Sequence, residues 1–155
     1  MRKTTKLLLI AATLVAACAQ AQAPTWSDEQ AAVWTIVAQS WDDQVAENGR
    51  WPGDYTHEKY FEWADNLPAP LGREKAIARQ RLVDEESDTI WHEITPLVIT
   101  VVGDTAIVMY SALFILENSD GDRNPVVSSL HEVLVRDGGS WEYLAETNFS
   151  PSFGN

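Results

Sequence analysis

The side chains able to move a proton or hold a ligand are few and scattered. The three histidines are His57, His92 and His131, and no two stand at H-x-H or H-x-x-x-H spacing. The single cysteine, Cys18, is remote from all of them, so no metal-ligand motif is present and no catalytic metal is expected. Ser128-Ser129 lacks the strand-turn-helix context of a G-x-S-x-G nucleophile and reads as ordinary strand serines. Acid–base chemistry remains. His131 falls mid-strand, in phase with Ser129, Val133 and Val135. If that face lines a pocket, its imidazole is the candidate general base or acid. Glu132 and Glu146 fall on the other faces of their strands. Tyr55, Tyr60 and Tyr110 are phenolic donors for a developing oxyanion.

Aromatic residues are the strongest compositional feature, with seven tryptophans in 155 residues. Trp34 and Trp41 lie on one face of a helical pattern, and Trp63 and Trp91 are expected to meet them. With Tyr60 and Tyr110, these are the candidate walls of a pocket for a small apolar or planar molecule. The same rings serve equally to fill a wide core that has no disulfide.

The elements that must position these groups follow from periodicity. Ser27 caps a helix whose apolar residues recur at Val33, Trp34, Val37, Ala38, Trp41 and Val45, giving a helix over 27–47. A short helix is expected over 56–64. The two prolines of Asn66 to Gly72 make a loop. Another helix is expected over 73–86, with Ala76, Ile77 and Leu82 facing inward. The period then changes to two. Strands are expected over 91–102, 105–117, 126–136 and 141–149, separated by Gly103-Asp104, Ser119 to Asp122, and Asp137-Gly138-Gly139. Consecutive hairpins imply an antiparallel meander. The strand over 105–117 is apolar on both faces, so each should be covered, one by helices and the other by a partner, giving a homodimer through the sheet.

The N-terminus has the form of an export signal. Arg2, Lys3 and Lys6 precede the apolar run Leu7 to Val15, which is too short to span a membrane. Residues 1–21 are read as the signal, ending at Ala19-Gln20-Ala21. Val15-Ala16-Ala17-Cys18 equally resembles a lipobox, which would leave Cys18 lipid-modified. Both routes place the protein in the periplasm or cell envelope, with membrane attachment only through a lipid on Cys18. Residues 24–150 read as one domain. The first 25 residues hold three of the 11 basic residues and none of the 23 acidic ones. Processing leaves eight bases against 23 acids, a net charge of −15. That charge disfavours nucleic acid and anionic lipid as partners.

Several stretches resemble the SnoaL-like branch of the nuclear transport factor 2-like superfamily. They are the first helix ending at Trp41-Asp42; Gly72-Arg73-Glu74-Lys75-Ala76-Ile77; Ile94-Thr95-Pro96 leading into Val101-Val102-Gly103-Asp104-Thr105-Ala106; and Val133 through Trp141. The resemblance implies an α+β domain with N-terminal helices packed on a strongly curved antiparallel sheet, a cone with a central pocket. It also implies dimers through the sheet, and isomerases, dehydratases or cyclases that use no cofactor. The acidic residue of the cyclases, and the Asp and Tyr of the steroid isomerases, map onto no particular residues here. Three functions therefore stand open: binding of a small apolar ligand in the pocket, cofactor-independent isomerase, dehydratase or cyclase chemistry, and a dimerising interaction module.

Overall fold

The structure is a computed structural model and describes residues 25–150. The signal and the Cys18 attachment point lie outside the described residues. Helix α1 spans Asp28–Val45. Ser27 and Gln30 form a reciprocal capping box at its start, and Asp28 and Glu29 place negative charge at the positive end of the helix dipole. Helical spacing puts Val33, Val37, Ser40 and Trp41 on the buried side. Burying each valine contributes about 1.5–3 kcal/mol.

Strand β1 follows at Thr56–Ala64, then β2 at Leu71–Gly72 and helix α2 at Arg73–Glu86. Four long strands complete the chain: β3 at Ser87–Val102, β4 at Thr105–Asn118, β5 at Arg123–Asp137 and β6 at Ser140–Phe149. They form one six-stranded sheet in the order β2-β1-β6-β5-β4-β3. The expected meander is β3 to β6, each pair antiparallel.

Two expectations need correction. Residues 56–64 form a strand, not a short helix, and that strand pairs in parallel with β6, making the sheet mixed. Tyr60, Glu62 and Ala64 alternate in burial with the exposed Phe61 and Trp63, a period of two that helical packing could not use. Leu82 is 62% exposed, whereas Ala76 is the buried residue of α2.

The sheet is curved, with irregular register in β3 near residues 89–91 and 96–98, and between β5 and β6 near residue 133. Its concave face and α1 enclose the core, which includes Val33, Val37, Trp41, Val108, Tyr110, Leu134 and Tyr143. The convex face carries Ile107, Leu113, Val98, Val127 and Phe149, all at least 38% exposed.

Candidate active site

Three glutamates form a row across the concave face. Glu62 on β1 is the register partner of Glu146 on β6, and Glu146 is the register partner of Glu132 on β5. Directly opposed side chains have Cβ atoms about 4.5–5.5 Å apart, so the carboxyls share one wall. A bulge brings this about. β6 pairs Tyr143 with Leu134 but Ala145 with Val133, leaving Leu144 as the extra residue. Strict alternation would put Glu146 on the face away from Tyr143. The inserted residue returns it to the same face.

These carboxyls line a cavity of about 200 Å³ between the sheet, α1 and α2. Trp41, Trp51, Phe114, Leu116 and Val83 supply apolar walls, and Tyr110, Ser40 and Arg79 add polar atoms. Tyr110 donates to Glu132 Oε1 at 2.5 Å and accepts from Trp41 Nε1 at 2.9 Å. Tyr60 donates to Glu146 Oε2 at 3.3 Å. Arg79 reaches Glu62 at 3.4 Å from α2. Glu132 is 2% exposed, and its Oε2 has no hydrogen-bond partner among the described residues.

Burial sets the protonation of this row. It pushes the Glu132 carboxyl well above the usual carboxylate range; Glu146 adds to the rise and the Tyr110 hydroxyl opposes it. Glu146 is pushed up to about 7, by burial first and by Glu62 second, with Tyr60 and Arg79 pulling the other way. Glu62 is also raised by burial, against the pull of Arg79. Burial raises the Tyr60 and Tyr110 phenols, which stay protonated donors. The cavity therefore holds one carboxyl poised near neutrality and another kept in its acid form. Divergence of this kind lets one site supply both a base and an acid.

The structure brings some of the expected site residues together. Trp41 and Tyr110 line the cavity, and Tyr60 bonds one of its carboxyls. Trp34 stands behind them, its ring edge-on to Tyr110 at 5.7 Å between centroids. Trp63 borders a small adjoining recess with Glu62, Arg79 and Glu146. Trp91 points to the convex side, 42% exposed and opposite Ile115. His131 is also exposed on the convex face, where its ring lies against Phe149 at 5.9 Å. The concave face of β5 belongs instead to Ser128, Leu130, Glu132 and Leu134. His131 is thus absent from the cavity, and its in-phase residues mark the wrong face. Tyr55 lies apart too, donating to Asp43. Sequence reasoning missed Arg79 and Trp51 as lining residues and left Glu132 and Glu146 without a role. The available signal was a glutamate at an apolar phase in each of two strands.

No family model matches the chain, and no curated protein sequence matches it. Solved structures do. A ketosteroid isomerase-like protein from Erwinia carotovora atroseptica superposes with a TM-score of 0.71 at 14% identity, covering 82% of this chain and 99% of that one. A putative scytalone dehydratase from Novosphingobium aromaticivorans gives 0.71 at 15% identity, covering 79% and 84%. An NTF2-like protein from Cytophaga hutchinsonii gives 0.69 at 10% identity, covering 81% and 100%. The chain therefore has the nuclear transport factor 2-like fold, an α+β cone built on a curved sheet.

Proposed function

We propose that this domain binds a small organic molecule in the concave cavity and transfers a proton on it without a cofactor, as an isomerase or dehydratase would. One observation carries the reading: Glu146 lines the cavity, is poised near neutral pH, and stands opposite the buried carboxyl of Glu132. A base with that affinity is half ionised at neutral pH and can take a proton from carbon or oxygen and return it. Glu132 in its acid form, supported by Tyr110, would donate to the oxygen on which charge develops. Trp41, Trp51 and Phe114 would hold an apolar body, so the ligand is apolar along its length and polar at its reacting end. The fold shared with the isomerase-like and dehydratase-like structures is compatible with this chemistry and does not by itself assign it.

The test is turnover of a panel of small β-hydroxy carbonyl and enolisable carbonyl compounds. The Glu146→Gln protein should lose turnover by about a hundredfold or more. Equal turnover by wild-type and variant would remove Glu146 as the base.

The remaining proposals concern placement and assembly. The sequence motifs favour the SnoaL-like branch. The Arg2-Lys3-Lys6 cluster and the run Leu7 to Val15 favour export, either free after cleavage near Ala21 or anchored through lipid on Cys18. Intact mass of native protein separates a lipid-modified Cys18 from an N-terminal Gln22. A second functional reading, an interaction module acting as a homodimer through the sheet, draws on the exposed convex side chains Ile107, Leu113 and Val127.

A further inference from the structure

Three buried side chains from three elements form one chain of hydrogen bonds at the wall of the cavity: Trp41 on α1, Tyr110 on β4 and Glu132 on β5. Trp41 Nε1 lies 2.9 Å from the Tyr110 hydroxyl, and that hydroxyl lies 2.5 Å from Glu132 Oε1. The donor inventory of these groups fixes the direction of the chain. An indole N–H only donates, so the Tyr110 oxygen accepts from it. The single Tyr110 proton is then left for Glu132 Oε1, its other partner among the described residues. Burial, with Glu146 beside it, keeps Glu132 in its acid form. A neutral carboxyl accepts best at its carbonyl oxygen, so accepting at Oε1 leaves the acid proton on Oε2. Oε2 is buried and has no hydrogen-bond partner among the described residues. A buried polar atom without a partner is rare in a folded protein, and Glu132 lines the cavity, so the group free to complete it is on a ligand.

We infer that Trp41 is a positioning residue: through Tyr110 its indole N–H holds the Glu132 proton on Oε2, so that this end of the cavity takes a hydrogen-bond acceptor such as a ketone oxygen and refuses a group that only donates. Without the indole N–H, the Tyr110 oxygen is free to accept from Glu132 instead. The carboxyl can then turn its proton towards Tyr110 and present a bare carbonyl oxygen to the ligand. Trp41 thus decides polarity at an atom that it does not touch. Taking Glu132 as the acid rests on the proposed function. The direction set by Trp41 is a property of binding and needs no turnover.

The probes are three bicyclic molecules of similar size: 1-indanone, which only accepts at its carbonyl, indole, which only donates at its N–H, and indene, which does neither. Each is titrated into the full chain by calorimetry. The ketone should bind about fivefold to tenfold more tightly than indene, the factor of one net hydrogen bond, and indole no more tightly than indene. The carbonyl stretch of bound 1-indanone should move to lower wavenumber in the infrared. Trp41→Phe keeps an aromatic ring and removes the N–H. All three probes should weaken, since Trp41 also lines the cavity, but the ratio of ketone to indole should fall to about one. In Glu132→Gln the amide accepts from Tyr110 at Oε1 and donates from the nitrogen that replaces Oε2, so the ketone preference and the infrared shift should both survive. A preference for indole in the wild-type chain, an unchanged ratio in Trp41→Phe, or a preference reversed in Glu132→Gln overturns the inference. Should Trp41→Phe not fold, the wild-type and Glu132→Gln titrations still decide the direction of donation. The two readings fail separately. Turnover that survives Glu146→Gln while the ketone preference holds removes only the proton transfer. Turnover that depends on Glu146 without a ketone preference removes only the role of Trp41.

Discussion

Glu132 and Glu146 are register partners across β5 and β6, so a buried and a half-buried carboxyl face one cavity from neighbouring strands. Burial strengthens the hold of each on its proton, and a neighbouring carboxylate adds to it, Glu146 acting on Glu132 and Glu62 on Glu146, because negative charges this close repel. The folded protein accordingly binds protons that the unfolded chain has already released.

That difference makes stability depend on pH. Glu146 moves from an ordinary 4.5 to about 7 on folding. A folded value above the unfolded one means that stability is fully present below about pH 4.5 and falls as pH rises towards 7. At 1.36 kcal/mol per unit, Glu146 accounts for a loss of about 3 kcal/mol across that window. Glu132, raised for the same reason, extends the decline to higher pH. Urea denaturation of wild-type and Glu146→Gln at pH 5, 6, 7 and 8 measures this. The variant should show a markedly shallower decline and be the more stable protein at pH 8. Parallel curves would mean that Glu146 is not held protonated.

Arg79 works against the burial of the row. It pairs with Glu62 and lowers the proton affinity of both Glu62 and Glu146. Arg79→Met keeps the apolar stem and removes the charge. The pH midpoint of the Glu146-dependent decline, and of any turnover, should move upward. The lost ion pair itself should cost only about 1 kcal/mol, since Arg79 is partly exposed. A midpoint that stays put or moves down would show that Arg79 does not reach the row electrostatically.

Tyr110 joins α1 to the site. Its hydroxyl receives the Trp41 indole N–H and donates to Glu132. Tyr110→Phe strands two buried polar groups at once and should cost about 2–4 kcal/mol. Tyr143→Phe is the matched control. That hydroxyl shares one bond, 3.0 Å, with Ser40, and its loss should cost about 1 kcal/mol. Thermal denaturation of the two variants tests the ordering. Equal costs would remove the three-residue relay as a structural unit.

The helices and hairpins were legible because their signals are local. The Ser27–Gln30 capping box, the Val33–Val37–Trp41 spacing and the turns at Gly103 and Gly138-Gly139 each declare themselves within a few residues. The site was harder to read for two physical reasons. On β5, Val133 and Val135 make His131's phase as apolar as the one carrying Leu130 and Leu134, so pattern alone cannot say which face turns inward. On β6, the bulge at Leu144 changes phase part-way along the strand, and a bulge has no hydrophobic signature of its own. The parallel pairing of β1 to β6 is a third case. It is non-local, and residues 56–64 carry three charged side chains that blur the alternation of Tyr60 and Glu62 with Phe61 and Trp63.

The convex face offers the last test. Ile107 on β4 and Val127 on β5 are 44% and 48% exposed, and they share that face with Leu113, Val98 and Phe149. A sheet face this apolar is normally covered, and a second copy of the chain is the partner proposed above. Lysine at both positions, Ile107→Lys with Val127→Lys, places like charges across any two-fold interface on this face. It leaves the concave side untouched, because neighbouring residues of a strand point to opposite faces. Sedimentation velocity at micromolar concentration should show a dimer for wild-type and a monomer for the double variant. Both substitutions are at exposed positions, so the stability of the isolated fold should change by only about 0.5 kcal/mol each. A wild-type monomer at that concentration would remove the homodimer and the interaction-module reading together. It would leave the glutamate row unaffected, since every residue of that row lies within one chain and on the other side of the sheet.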